Sequence, residues 1–291
     1  IDAPKLVSNY RIPKDNKINS DDVVTVYNFI NNKYYIPSSE KYFDNLNPAT
    51  NKLISRIPRS NGNDMDFAIK AAKKAYKPWS RLPRAKRSEY LNKLSSLIES
   101  RLIEFATLES RDNGKPLGLA KMIDIPRAVS NFKFFASQIL HDYTSTHQMH
   151  DALNYSHRSP LGVCGLITPW NLPLYLLTWK IAPAIACGNT VVCKPSELTP
   201  MTAYLLTDCI IESGIPPGVI NIVHGYGKEC GEPLCVHKDV TGISFTGGTV
   251  TGRRISSVAA PLFKKLSLEL GGKNATIVFD DVNDLDSTVK G

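Results

Sequence analysis

The sequence lacks several features that define large classes of protein. Its apolar runs are shorter than a membrane span, and its first residues contain no apolar segment of the secretory-signal kind. It also has no internal repeat and no low-complexity tract, which argues against a repeat architecture. The 291 residues are 42% hydrophobic and 21% charged, values typical of a soluble globular protein of one large or two ordinary domains. We therefore expect a folded enzyme-sized protein with no membrane partner.

The six cysteines lack the spacings of metal and redox sites. No C-x-x-C pair occurs, and no grouping of Cys and His has zinc-binding spacing, so we expect no metal site. Several cysteines lie in apolar, strand-like runs such as GVCGLI and TVVCK, which predicts buried, reduced thiols. Such thiols are typical of a reducing compartment, and we expect a cytoplasmic protein.

The net charge of +8 gives no specific indication of a nucleic-acid partner. Lysines and arginines concentrate between Lys70 and Arg101, inside two predicted helices, and no known nucleic-acid-binding motif surrounds them. A solvated helix surface is the favoured interpretation. A surface that attracts anionic substrates stays open as the alternative.

The first half of the chain is predicted to be mainly helical. Residues 1–25 are polar and aperiodic and read as an extension, and the run VYNFINNKYYIP favours a short strand pair. A helix opens at Asn63-Asp64, a second begins near Arg84, a third ends near Asn113-Gly114, and a fourth carries Pro126 in its first turn.

After about Pro160, apolar runs alternate with helical stretches, which predicts a parallel sheet covered on both faces. The fold class is therefore α/β, a doubly wound Rossmann-like sheet preceded by a mainly helical segment. The predicted strands are 162–168, 190–194, 219–223 and 242–245, followed by KLSL and ATIVF. The predicted helices are 174–187, 200–213, 227–236 and 249–260.

Polar and glycine-rich segments follow these strands, at the sheet edge where ligands of open α/β proteins bind. The turn F-T-G-G-T-V-T-G (245–252) would let a backbone approach a pyrophosphate, yet an ordinary glycine turn before a helix looks similar. Glu197 stands where an acid would bond a ribose hydroxyl, although many glutamates are merely solvated. The segments are Thr168-Pro169-Trp170-Asn171, Lys194-Pro195-Ser196-Glu197, residues 245–252 and Glu269-Leu270-Gly271-Gly272-Lys273.

Taken together and in this order, T-P-W-N, K-P-S-E, F-T-G-G and E-L-G-G-K resemble the aldehyde dehydrogenase superfamily from about Tyr27 onward. The resemblance implies NAD as cofactor and oxidation of a small-molecule aldehyde to the acid through a cysteine thiohemiacetal and thioester. Longer runs, such as KKLSLELGGKNATIVF, are similar to the family-8 branch of this superfamily. That branch implies 2-aminomuconate semialdehyde, from the kynurenine pathway of tryptophan catabolism, or a similar semialdehyde as substrate.

The resemblance also implies residue roles. Asn171 would stabilise the oxyanion, with a helix N-cap as its structural alternative, and Glu269 would be the general base, with a structural ion pair as its alternative. Arg127 would bind a substrate carboxylate, or else be a solvated surface residue. The other implied substrate residues are Leu172, Tyr175 and Trp179. The implied cofactor residues are Thr168, Pro169, Trp170, Lys194, Ser196, Glu197, Gly227, Gly231, Gly247, Gly248, Gly252 and Leu270.

The same resemblance implies the organisation of the chain and its partners. The expected parts are an extension (1–25), a helical part with an oligomerisation arm (26–158), the NAD-binding core (159–270) and the start of a truncated catalytic domain (271–291). The family's catalytic cysteine would lie beyond Gly291, so we expect this chain alone to be an inactive fragment of a dimeric or tetrameric enzyme. Two alternatives stay open: a short non-catalytic protein that binds NAD or a dehydrogenase subunit, and a general or betaine aldehyde dehydrogenase.

Overall fold

The computed structural model describes residues 4–8, 10, 12 and 23–290. Its strands are β1 (Lys5–Leu6), β2 (Val24–Thr25), β3 (Asn28–Ile30), β4 (Lys33–Ile36), β5 (Tyr42–Leu46), β6 (Leu53–Pro58), β7 (Thr146–Gln148), β8 (Leu153–Tyr155), β9 (Val163–Ile167), β10 (Thr190–Lys194), β11 (Ile220–Ile222), β12 (Val240–Gly247) and β13 (Lys265–Leu270). Its α-helices are α1 (Gly62–Ser80), α2 (Arg84–Ser100), α3 (Leu102–Asn113), α4 (Leu117–Leu119), α5 (Ile125–Gln138), α6 (Pro173–Ala186), α7 (Met201–Ser213), α8 (Glu232–Val236), α9 (Thr249–Ala259) and α10 (Leu285–Lys290).

The main sheet has eight strands in the order β1-β4-β3-β11-β10-β9-β12-β13. The five neighbouring strands β11, β10, β9, β12 and β13 are mutually parallel, whereas β3 pairs antiparallel with β11. Along the chain the sheet grows from β9 through β10 to β11, and then returns to add β12 on the other side of β9. This reversal between β9 and β12 is the topological switch point of a doubly wound fold, so the predicted fold class is confirmed.

Successive residues of the parallel strands face opposite sides of the sheet and join two separate cores. Cys164 and Leu166 of β9 belong to the core formed with α2, α5, α6 and α7. Val163 and Ile167 belong to the core formed with α1, α8 and α9. We call these the α6 face and the α9 face of the sheet.

The predicted strand pair is present as the hairpin β3–β4. Its turn residues Asn31 and Asn32 both have φ 56°, the left-handed conformation that a tight two-residue hairpin requires and that Asn tolerates. Described residues from the segment 1–25 lie against this part of the fold: β1 pairs with β4, β2 pairs with β6, and Ile12 is 1% exposed.

The helix boundaries of the first half follow the local signals. Asn61 and Asp64 form a capping box at the start of α1, and Gly114, with φ 85°, ends α3. Pro126 lies in the first turn of α5, as predicted, although α5 continues directly from α4 through a π-helical turn (Ala120–Asp124).

The strand predicted at ATIVF (275–279) is absent from the described structure. These residues form no regular element, and Ile277 and Phe279 are 76% and 73% exposed. No described strand pairs with this apolar run, although β13, the nearest strand in sequence, is the edge of the sheet.

Candidate cofactor cleft and active-site edge

A cleft of about 860 Å³ opens at the carboxyl ends of the parallel strands on the α9 face. It lies at the switch point, between the π-helical turn Gly227–Gly231 with α8 on one side and α9 on the other. Most residues predicted to hold a cofactor line it together, although they come from four separate segments: Thr168, Pro169, Trp170, Lys194, Ser196, Glu197, Gly227, Gly231, Gly247 and Gly248.

Lys194 and Glu197 form an ion pair at the end of β10. The Nζ of Lys194 lies 2.7 Å from Oε2 of Glu197, and the lysine side chain is 4% exposed. Ser196 shapes the turn between them, since its Oγ accepts a hydrogen bond from the N–H of Leu198. A third of the Glu197 side chain stays exposed at 34%, which leaves the carboxylate able to accept a hydrogen bond from a hydroxyl in the cleft.

Glycine makes the cleft accessible to a ligand at two positions. A Cβ at Gly227 or Gly248 would meet no described atom within 4 Å, so these backbones face open space. Gly248 also precedes α9, and the N–H groups at the N-terminus of this helix receive no side-chain cap from the described residues. Uncapped N–H groups and the positive end of the helix dipole favour a phosphate there.

Gly252 and Leu270 have a different place from the one predicted. They are outside the described lining of the cleft and pack against each other, because a Cβ at Gly252 would lie 2.4 Å from Cδ2 of Leu270. Gly252 thus permits close contact between α9 and β13, the packing role of the last glycine in a dinucleotide-binding turn.

Several cleft residues were missed by the sequence analysis. Cys235, Ile255 and Val258 form an apolar floor, and Arg254 on α9 pairs with Glu232 on α8 through two contacts of 2.6 and 3.1 Å. No sequence pattern marks this ion pair, because its members meet only when α8 packs against α9.

A second cavity, of about 390 Å³, lies on the α6 face and contains the predicted base Glu269. Glu269 is exposed at the end of β13, beside the buried Lys180 of α6, whose Nζ donates a hydrogen bond of 2.9 Å to Oγ of Ser244. Burial lowers the pKa of Lys180 to about 8, against the opposing effect of the Glu269 charge. Lys180 was missed, although it is the one charged residue in the described helix α6, PLYLLTWKIAPAIA, and such isolation is a usable signal.

Asn171 lies in the loop between β9 and α6, and its side chain is exposed. Its structural alternative, a helix N-cap, is not what the fold shows, since Leu172 occupies the N-cap position of α6. Instead, the backbone oxygen of Asn171 accepts hydrogen bonds from Lys115 (3.1 Å) and Asn113 (3.5 Å).

The predicted substrate residues form a cluster on α5 and α6. The guanidinium carbon of Arg127 lies 5.4 Å from the ring centroid of Tyr175, and the Tyr175 and Trp179 centroids are 6.1 Å apart. Asn131 ties the two helices together by donating hydrogen bonds to Tyr175 O and Thr178 Oγ1. Leu172 is half-buried just before α6, one turn from this cluster.

Within the described ranges, no group of three or more His, Cys, Asp or Glu side chains is placed to hold a metal ion. No described helix is both long and apolar enough to cross a membrane. All six cysteines are free and five of them are buried, as predicted for those in the apolar runs GVCGLI and TVVCK.

Comparison with known proteins gives one consistent result. The aldehyde dehydrogenase family matches residues 35–291. Human 2-aminomuconic semialdehyde dehydrogenase is 51% identical over 258 residues, which are 88% of this chain and 53% of that protein. The 2-hydroxymuconic semialdehyde dehydrogenase of Pseudomonas sp. strain CF600 is 44% identical and matches 91% of this chain and 56% of its own length. The chain thus spans about half the length of the curated relatives it matches.

Solved structures agree. An NAD⁺ complex of aldehyde dehydrogenase from Bacillus cereus superposes with a TM-score of 0.90 at 35% identity, covering 98% of this chain and 58% of that one.

Proposed function

We propose that a full-length protein containing this chain, which belongs to the aldehyde dehydrogenase family, oxidises an aldehyde to the carboxylic acid. The observation that supports this most strongly is that ten predicted cofactor residues, from four segments of sequence, line one cleft at the switch point of the sheet. NAD would supply the hydride acceptor in this reaction.

The cleft fits a dinucleotide in three respects. The carboxylate of Glu197 suits a ribose diol, the uncapped start of α9 suits a pyrophosphate, and the apolar floor suits a flat ring. The open space at Gly227 and Gly248 is the approach that a phosphate or ribose needs. The relative solved with NAD⁺ supports the same cofactor for this chain.

The active-site edge would supply the groups for acyl chemistry. We propose that the side-chain amide of Asn171 donates a hydrogen bond to the aldehyde oxygen as it becomes negative, while Glu269 takes the proton of the hydrolytic water. The nucleophile would be a cysteine of the full-length protein that forms first a thiohemiacetal and then a thioester.

The proposed substrate is a small unsaturated semialdehyde that carries a carboxylate, with 2-aminomuconate semialdehyde as the first candidate. The two relatives described above are named for muconic semialdehydes, and the exposed Arg127 offers a cation 5.4 Å from the centre of the Tyr175 ring. The aromatic pair Tyr175 and Trp179 would supply an apolar wall.

The test of this substrate class is Arg127→Ala in the full-length enzyme, followed by NADH absorbance. Loss of charge-assisted hydrogen bonds should lower kcat/KM for the carboxylated semialdehyde roughly 10- to 150-fold, which corresponds to about 1.5–3 kcal/mol of transition-state stabilisation. A neutral aldehyde of similar size should be almost unaffected. Lys133→Ala is the matched control, because Lys133 is an exposed cation on the same helix and pairs with Glu99. Equal losses for both aldehydes would show that Arg127 is structural.

The family resemblance also implies self-association. The hairpin β7–β8 supports it, since all six residues of its strands are exposed, including Leu153 at 62% and Tyr155 at 64%. We propose this hairpin as the oligomerisation arm of a dimer or tetramer.

A further inference from the structure

The loop that carries Asn171 is held by two side chains from a distant part of the chain. Nδ2 of Asn113 donates a 2.7 Å hydrogen bond to the backbone oxygen of Trp170, and Nζ of Lys115 donates one of 3.1 Å to the backbone oxygen of Asn171. Both donors lie at the end of α3, about 57 residues earlier in sequence. Two consecutive carbonyls of the loop are therefore fixed from outside it.

Lys115 is itself fixed by buried charges. Its side chain is 7% exposed, and its ammonium contacts Oε1 of Glu109 at 3.2 Å and Oδ2 of Asp124, whose side chains are 0% and 2% exposed. These two carboxylates and the Asn171 oxygen match the three hydrogen-bond donors of a lysine. Rotating the ammonium away would remove its contacts to two buried carboxylates, so these contacts restrain it beside the Asn171 oxygen.

The turn that presents both donors is also constrained. Gly114, between them, has φ 85°, and a Cβ there would meet Cγ of Pro48 at 2.8 Å. By contrast, the Asn171 side chain is exposed. Its direction therefore depends on the backbone to which it is attached, and the described anchors of that backbone are Asn113 and Lys115.

We propose that Asn113 and Lys115 are positioning residues, which hold the Asn171 backbone so that its side-chain amide points at the reacting oxygen. This inference rests on the proposed function, in which that amide stabilises the oxyanion. A misplacement of the donor by about 1 Å is enough to cost a large factor in rate.

The main variant is Asn113→Ala, which removes one anchor without uncovering a buried charge. Asn92→Ala is its control, since the Asn92 amide bonds only a hydroxyl, Ser88 Oγ, on its own helix in the described structure. In the 291-residue chain labelled with 5-fluorotryptophan, Asn113→Ala should shift the fluorine resonance of Trp170 and leave those of Trp79 and Trp179 in place. An unchanged Trp170 resonance would overturn the inference.

In the full-length enzyme, Asn113→Ala should lower kcat about tenfold, with little change in KM for NAD. The deciding readout is a double-mutant cycle with Asn171→Ala, in whose background Asn113→Ala should have no further effect on kcat. An equal loss in both backgrounds would show a general structural role and overturn the inference.

Lys115→Met alone would leave two buried carboxylates unpaired and can fail to fold. The triple variant Glu109→Gln, Lys115→Met, Asp124→Asn removes the anchor and leaves no charged side chain in the cluster. It should lower kcat by at least as much as Asn113→Ala. A folded triple variant with full kcat would overturn the role of Lys115. If Asn171→Ala itself leaves kcat unchanged, the proposed oxyanion role of Asn171 is wrong and the inference falls with it. If Asn171→Ala lowers kcat and neither anchor variant does, the function stands and the inference alone fails.

Discussion

The cleft on the α9 face and the cavity on the α6 face share the same parallel strands, and each contains a buried lysine. Lys194 in the cleft is 4% exposed, and Lys180 in the cavity is 5% exposed. Lys194 has a carboxylate at 2.7 Å, whereas Lys180 has the hydroxyl of Ser244 at 2.9 Å. The two lysines are equally buried, but Lys194 bonds a charged carboxylate and Lys180 bonds a neutral hydroxyl.

The difference shows how one sheet edge can support two kinds of chemistry. The buried Lys194 has a carboxylate as its hydrogen-bond partner, which compensates for the loss of water around its side chain. A buried lysine whose described hydrogen-bond partner is a hydroxyl has its charged form destabilised, and burial lowers the pKa of Lys180 to about 8 despite the nearby charge of Glu269. An amine with that pKa exchanges protons near neutral pH, which suits a site beside a general base.

The largest effect should come from filling the cleft. Gly248→Leu places a side chain into open space, so we expect NAD binding weaker by on the order of 100-fold, about 2.7 kcal/mol, with the melting temperature of the free chain unchanged. Gly252→Val is the contrasting variant. Its side chain would collide with Leu270, so stability should fall by about 1–3 kcal/mol. Calorimetric titration and thermal unfolding of both variants check this, and a Gly248→Leu chain that binds NAD normally would break the assignment of the cleft.

The next effect concerns Lys180 on the opposite face. Its folded-state pKa of about 8 lies below the ordinary 10.5, so its contribution to stability is fully present above pH 10.5 and is lost as the pH falls through 8. Lys180→Met should therefore stabilise the chain at pH 7 by on the order of 2 kcal/mol, and the gain should shrink as the pH rises toward 10. Urea unfolding at several pH values, with exposed Lys93→Met as the control, measures this. A gain independent of pH would mean that Lys180 is not desolvated as described.

The smallest effect concerns cofactor choice in the cleft. The Glu197 carboxylate can accept a hydrogen bond from a 2′-hydroxyl but repels a 2′-phosphate, while Lys194 partly offsets the repulsion. We expect a preference for NAD over NADP, and Glu197→Gln should reduce the ratio of the two affinities about tenfold, roughly 1.4 kcal/mol. Titrations of both cofactors into both proteins test this. A ratio that Glu197→Gln leaves unchanged would remove Glu197 from cofactor selection.

The sequence predicted best the strands and helices whose signals come from residues close together in the chain. The strand 190–194 and the helix start near Arg84 were placed correctly, because apolar periodicity is a local signal. The family resemblance implied the cofactor residues, and most of them lie at or after the ends of parallel strands, which meet at one edge of the sheet. Their role in binding a cofactor stays a prediction. The strand expected at 275–279 was wrong, since an apolar run does not by itself determine whether a strand pairs with it.

The sequence did not predict what depends on contacts between distant elements. The Arg254–Glu232 pair, the Lys115 cluster and the depressed pKa of Lys180 all arise from packing of one element on another. Lys115 stands beside the correctly predicted stop of α3, yet nothing nearby in sequence shows that it reaches Asn171. From the sequence alone, such residues cannot be distinguished from ordinary charged surface residues.

The most direct test of the central claim is a titration of the 291-residue chain with NAD, followed by tryptophan fluorescence. Trp170 lines the cleft and is 54% exposed, so a bound cofactor should change its emission. We predict saturable binding with a Kd between about 1 µM and 1 mM, the range of typical substrate constants, and its loss in Gly248→Leu. No saturable change, or the same change in Gly248→Leu, would contradict the assignment of this cleft to the dinucleotide.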